Sequence, residues 1–139
     1  MKFLHTMLRV KDLDAALHFY VNQLGLVEVS RKDNEKGRFT LVFLGPTAHE
    51  PLVELTYNWD NTEPYGTGRF FGHLAFGVEN IYATCERLQK MGVDILRPPR
   101  DGHMAFIKSP DGASVELLQL GEALPPQAPW DTMENQGSW

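Results

Sequence analysis

The period of apolar and polar positions changes several times along the chain, and each change predicts an element. Residues 3–10, FLHTMLRV, alternate with period two. That predicts a strand with Leu4, Thr6, Leu8 and Val10 on one face and His5, Met7 and Arg9 on the other. Asp12 stands where a helix N-cap is expected, followed by Leu13, Ala16, Leu17, Tyr20 and Leu24 at helical spacing and a stop at Gly25. Further strands are predicted at 26–32, 38–45 and 51–58, with turn signals at Asn34, Gly37, Gly45 and Pro46 between them.

After the polar linker DNTEPYGTG the same order begins again. FFGHLAFGV (70–78) reads as a strand and Asn80 as a cap. Ile81, Cys85, Leu88 and Met91 line one helix face, and Gly92 ends that helix. Shorter strands are predicted near 93–96, 103–108 and 114–120, separated by Pro98-Pro99 and by the turn Pro110-Asp111-Gly112. The segment from Gly121, GEALPPQAPWDTMENQGSW, is rich in proline and polar residues and is expected to be irregular. Both halves thus run strand, helix, three strands, which is the pattern of an internal duplication. His5 and His73 each precede a strand-ending valine (Val10, Val78) by five residues, and Glu54 and Glu116 each sit inside a Val-Glu-Leu triplet.

Composition narrows the function classes. A chain of 139 residues suits one compact domain, and 42% hydrophobic with 22% charged residues excludes wholesale disorder. A net charge of −5 argues against nucleic acid as partner, which calls for a basic face. No apolar run approaches the ~18 residues that span a bilayer, so no membrane partner is expected. The N-terminal stretch lacks the unbroken apolar core of a secretory signal. One cysteine, Cys85, makes no intramolecular disulfide, so a reducing cytoplasm is the expected compartment.

Strand parity gives the candidate chemistry. Glu54 shares a face with Leu52, Thr56 and Asn58, opposite Val53, Leu55 and Tyr57; Glu116 shares a face with Ser114 and Leu118, opposite Val115 and Leu117. Each half therefore presents one His and one Glu on the face opposite its apolar stripe. A lone strand histidine is more often a hydrogen-bonded structural residue, and a lone strand glutamate more often an exposed one. Repetition at matching places in two halves favours a ligand set. Two neutral imidazoles and two carboxylates balance a divalent cation, and the mixed N/O set suits Ni²⁺, Co²⁺, Fe²⁺, Mn²⁺ or Zn²⁺.

The stretches HTMLRV (5–10), LVELTYNW (52–59), GHLAF (72–76) and SPDGASVELLQ (109–119) resemble those of the glyoxalase I (lactoylglutathione lyase) family, in the vicinal oxygen chelate superfamily. The resemblance spans residues 5–119. It implies an α+β fold of two βαβββ modules, about 1–60 and about 68–120, whose curved mixed sheets surround a metal cleft in a single domain 1–120. Residues 121–139 form a tail outside it. It further implies a domain-sharing homodimer in which each metal, held by His5, Glu54, His73 and Glu116, draws ligands from both chains. The family's substrate is the hemithioacetal of glutathione and methylglyoxal, isomerised to S-D-lactoylglutathione. Glu116 is the first choice for the base and Glu54 the second. Arg9 and Asn58 are implied to contact the γ-glutamyl end of glutathione, with Arg69 donated by the partner chain.

A His at position 5 and a first strand that begins at once resemble the nickel- and cobalt-activated class, so Ni²⁺ or Co²⁺ is expected ahead of Zn²⁺. Segment 97–107, RPPRDGHMAFI, is shorter than the family's lid loop, which leaves Arg97, Arg100 and His103 as candidates to hold the glycyl carboxylate. The competing expectations are a thiol transferase or dioxygenase of the same architecture, which use two His and one Glu, and a drug-binding module without metal residues. Glu54 as a fourth ligand, together with ELTYNW, argues against the two enzymes, and a stoichiometric divalent metal at His5, Glu54, His73 and Glu116 would count against the drug-binding module.

Overall fold

The computed structural model describes residues 1–139, and the chain divides into two compact units, Met1–Gly66 and Thr67–Trp139. In the first unit, strands β1 (Thr6–Val10), β2 (Val27–Asn34), β3 (Phe39–Gly45) and β4 (Val53–Asn58) form a sheet in the order β1-β4-β3-β2. β1 runs parallel to β4, and β3 is antiparallel to both of its neighbours. In the second unit, β5 (His73–Val78), β6 (Met104–Lys108) and β7 (Ser114–Gln119) form a sheet in the order β5-β7-β6, with β5 parallel to β7 and β6 antiparallel to it. The two sheets repeat one wiring, β1-β4-β3 matching β5-β7-β6, as the duplicated pattern predicts.

The second strand predicted in the second half, 93–96, is not formed. What remains is a single bridge between Arg97 and Phe106, because Pro98 and Pro99 follow and have no N–H with which to extend a ladder. Two strands also begin later than their apolar runs suggest: the first at Thr6 rather than 3, and the fifth at His73 rather than 70. Phe3, Leu4 and Phe70 are exposed, so nothing packs against these run-ins.

Between β1 and β2 the helix α1 (Leu13–Leu17) is capped by Asp12, whose carboxylate accepts from the Ala15 N–H at 2.9 Å. It then widens into a π-helical turn at His18–Gln23. The wider turn rotates the later positions, so Ala16, Phe19, Tyr20 and Gln23 are buried while Leu17 and Leu24, expected inside, are only half-buried. In the second unit α2 (Ile81–Lys90) is capped by Asn80 and stopped by Gly92 at φ 82°. Its buried stripe is Ile81, Tyr82, Cys85 and Leu88, packed with Ala105, Ile107, Val115 and Leu117 in that unit's core. Burial drives the Cys85 thiol up to about 12, which leaves it inert. The outer strand β2 is interrupted by a bulge between Glu28 and Ser30 and carries Glu28, Arg31, Lys32 and Asp33, which guards an open sheet edge.

The tail 121–139 has one short 3₁₀ turn, Trp130–Thr132, but it is fastened to the second unit. Trp130 is buried, the Leu124 and Gln136 N–H groups donate to Gly102 O and Leu96 O, and the Tyr82 hydroxyl donates to Pro125 O. Arg100 donates to Met133 O and to Asn135 Oδ1.

Candidate metal centre

In the first unit, β1 and β4 are in register with Met7 opposite Glu54, which leaves His5 just outside the strand and diagonal to that carboxylate. His5 Nε2 lies 2.9 Å from Glu54 Oε2. In the second unit the parallel pair β5 and β7 places Ser114 opposite His73 and Ala75 opposite Glu116, and His73 Nε2 lies 3.1 Å from Glu116 Oε2. Both carboxylates are largely shielded (14% and 13% exposed), while both imidazoles stay open to solvent at 35% and 43%. Each pair also has an aromatic neighbour. Phe43 lies opposite Glu54 with its ring edge-on to His5 at 5.4 Å, and Phe106 lies opposite Glu116 with its ring edge-on to His73 at 5.5 Å. The repeated unit is therefore His, Glu and Phe, one from each of three neighbouring strands.

No three or more His, Cys, Asp or Glu side chains of the chain gather into one metal-holding group, so each unit supplies a pair. The donor set fits a divalent cation: each pair sets an imidazole nitrogen and a carboxylate oxygen side by side on a partly open surface, with no Lys or Arg in an ion pair with either carboxylate. The pairs differ in one respect. Glu54 Oε1 accepts a hydrogen bond from Thr56 Oγ1 at 3.1 Å, whereas the residue at the equivalent place after Glu116 is Leu118.

The other candidate residues are placed unevenly. Arg9 is exposed, opposite Thr56 and on the face that carries Glu54. Asn58 ends β4 and donates from Nδ2 to the Tyr65 hydroxyl at 2.9 Å, a partner that no sequence pattern signals. Arg69 lies exposed in the turn at 68–70, ahead of the start of β5, so it does not share the His73 strand face. In segment 97–107, Arg97 donates to the Met104 and Pro98 carbonyls and pairs with Asp101, and Arg100 holds the tail. Both arginines are thus engaged with their own chain. Burial works to raise the Asp101 carboxyl, but Arg97 and the N–H groups of His103 and Met104 hold it at about 2. Trp139 stacks on Phe106 at 5.7 Å with the rings 26° apart, so the tail reaches the flank of the second His–Glu pair. Phe43, Tyr65 and Trp139 were not among the candidates from sequence. Of the three, only Phe43 had a signal: it and Phe106 hold matching places in the strands preceding each closing strand.

The duplicated wiring and the two His–Glu pairs define a paired-module protein with two matching candidate ligand pairs. The chain matches the model of the glyoxalase/bleomycin resistance protein/dioxygenase superfamily over residues 2–117, and it belongs to that superfamily. It is 42% identical to a probable lactoylglutathione lyase of Vibrio parahaemolyticus, over 88% of this chain and 93% of that one. It is 43% identical to a lactoylglutathione lyase of Neisseria meningitidis serogroup A, over 86% of this chain and 91% of that one. Among solved structures it is similar to the trypanothione-dependent glyoxalase I of Leishmania major, with a TM-score of 0.80 and 38% identity over 86% of each chain.

Proposed function

We propose that this protein is a lactoylglutathione lyase, converting the glutathione–methylglyoxal hemithioacetal to S-D-lactoylglutathione in a two-chain assembly. One pair, His5 with Glu54, comes from one chain, and the other, His73 with Glu116, comes from the partner chain, so that four ligands meet at one divalent cation. The single observation that carries this reading is the repeated His–Glu pair on matching strands, since two ligands alone leave a divalent cation under-coordinated. Relatives named lactoylglutathione lyase, at 42% and 43% identity over most of both chains, support the activity.

The reaction removes a proton from carbon beside a carbonyl, and negative charge builds on oxygen as it leaves. A bound divalent cation supplies the Lewis acidity that stabilises this charge. Glu116 is the base: its carboxylate takes the proton from C1 and delivers it to C2 of the same substrate, while the C1 hydroxyl proton passes to the C2 oxygen, so no net proton is consumed. The choice between the two carboxylates follows from their surroundings. Thr56 donates to Glu54 and fixes the orientation of its carboxylate, which makes it the steadier ligand. Glu116 has Leu118 in that place and lacks this hydroxyl tether. Arg9 and Asn58 lie on the Glu54 side, where a guanidinium fork and an amide suit the amino-acid end of a γ-glutamyl thiol. Arg69 serves the same end from the partner chain. Ni²⁺ or Co²⁺ is favoured over Zn²⁺, and the protein works in the cytoplasm.

The test strips the purified protein of metal, restores Ni²⁺, Co²⁺ or Zn²⁺ in parallel, and follows hemithioacetal isomerisation. Turnover that appears only with added metal and is greatest with Ni²⁺ or Co²⁺ supports the reading. A protein that stays folded, takes up metal and isomerises nothing contradicts it.

A further inference from the structure

A cavity of about 200 Å³ opens in the second unit, lined by Thr67, Gly68, Phe71, Lys108, Ser114 and Trp139 among others. At about 30 Å³ per water molecule, it has room for some six waters or for a carboxylate with the carbons next to it. Of its polar walls, the side chains of Ser114 and Lys108 find no partner within the chain. Ser114 is 7% exposed, and its Oγ is buried without a hydrogen-bond partner. Lys108 enters none of the chain's ion pairs. Buried hydroxyls in native structures are nearly always partnered, so an orphan that lines a cavity points to a missing acceptor.

Register ties this cavity to the metal pair. His73, Ser114 and Lys108 form one row across β5, β7 and β6, and Ala75, Glu116 and Phe106 form the row two residues further along the same face. The cavity is therefore only about 6–7 Å of strand from Glu116. Trp139, stacked on Phe106, gives it an aromatic side. The arginines that could have served a carboxylate from the 97–107 segment are engaged elsewhere, Arg97 with Asp101 and Arg100 with the tail.

We infer that this cavity is a carboxylate subsite, in which Lys108 Nζ and Ser114 Oγ receive one of the two carboxylates of the thiol-bearing substrate. The ligand's identity rests on the lyase reading; the anion chemistry of the cavity does not. A single cation, the hydroxyl residues Ser114 and Thr67, and aromatic walls suit a compact monoanion.

The test titrates S-methylglutathione into the metal-loaded enzyme by calorimetry, with Lys108→Met and Ser114→Ala as variants. Lys108→Met weakens binding by about tenfold or more, the loss expected for a charge-assisted hydrogen bond, and Ser114→Ala weakens it less. Repeating the titration with the glycyl ethyl ester identifies the occupant: equal binding by wild type and Lys108→Met assigns the glycyl carboxylate, and a persisting difference assigns the γ-glutamyl one. A second titration uses acetate alone and follows the Trp139 indole N–H by NMR. If wild type fails to bind the thioether while acetate still shifts Trp139 in a Lys108-dependent way, the lyase reading fails and the subsite stands. If both variants match wild type in both titrations, the subsite is overturned.

Discussion

Glu116 Oε2 lies 3.1 Å from His73 Nε2 across a pair of parallel strands. The same relationship recurs between Glu54 and His5 in the other unit. Repetition of a shielded carboxylate beside an open imidazole is what marks the four residues as a candidate ligand set, and it gives the first prediction. Glu116→Gln takes away the proposed base and should lower turnover by roughly 10²–10⁴-fold while leaving the fold intact. Glu54→Gln removes the hydroxyl-supported ligand, so it depresses metal content as well as turnover. Activity assays alongside metal analysis of the purified variants check both. Wild-type turnover from both variants would sink the assignment.

Arg100 ties the tail to the second unit through Met133 O and Asn135 Oδ1. Arg100→Ala should cost about 1–2 kcal/mol and release the segment around 133–136. Hydrogen exchange would show faster exchange at Gln136, whose N–H donates to Leu96 O, with the strands unaffected. Unchanged protection at Gln136 would mean that Arg100 does not hold this segment in place.

Asp101 gives an acid-side prediction with a definite sign. Its folded pKa, about 2, lies below the ordinary 3.8, so it contributes stability that is present above 3.8 and lost as the pH falls towards 2. Asp101→Asn should therefore be less stable than wild type at neutral pH, and the gap should narrow below pH 4. Denaturant midpoints at pH 7, 4 and 3 measure it; a gap independent of pH would contradict the argument.

Cys85 is fully buried and its thiol is pushed up to about 12 by desolvation. Native protein at pH 8 should react with a thiol reagent only as fast as it opens, and denaturant should release the full reactivity of one thiol. Prompt labelling of the native protein would show that α2 is not packed as described.

Much of the fold could be read from the residues because the chain repeats itself. Asp12 and Asn80 mark both helix starts, and the two Val-Glu-Leu triplets mark the closing strands. The His–Glu pairing could be anticipated for the same reason, since one periodicity argument applied twice. What escaped were features set by register and by distant backbone. Phe43 looks like a core residue until the ladder places it opposite Glu54. Arg97 and Arg100 look like free cations, but their partners include main-chain carbonyls that no side-chain pattern announces. The strand expected at 93–96 was lost to the two prolines behind it. Trp139 lies in a segment without periodicity, and nothing in the sequence told of its stacking on Phe106.

The central claim is that each active site takes one His–Glu pair from each of two chains. It is tested most directly by co-expressing two inactive variants under different tags, one with His5→Ala and Glu54→Ala, the other with His73→Ala and Glu116→Ala. A mixed dimer would then hold one site with all four ligands and one with none, so random pairing should restore about a quarter of wild-type activity, and all of it should co-purify with both tags. If mixed dimers form and remain inactive, the four ligands do not meet across two chains and the account is wrong.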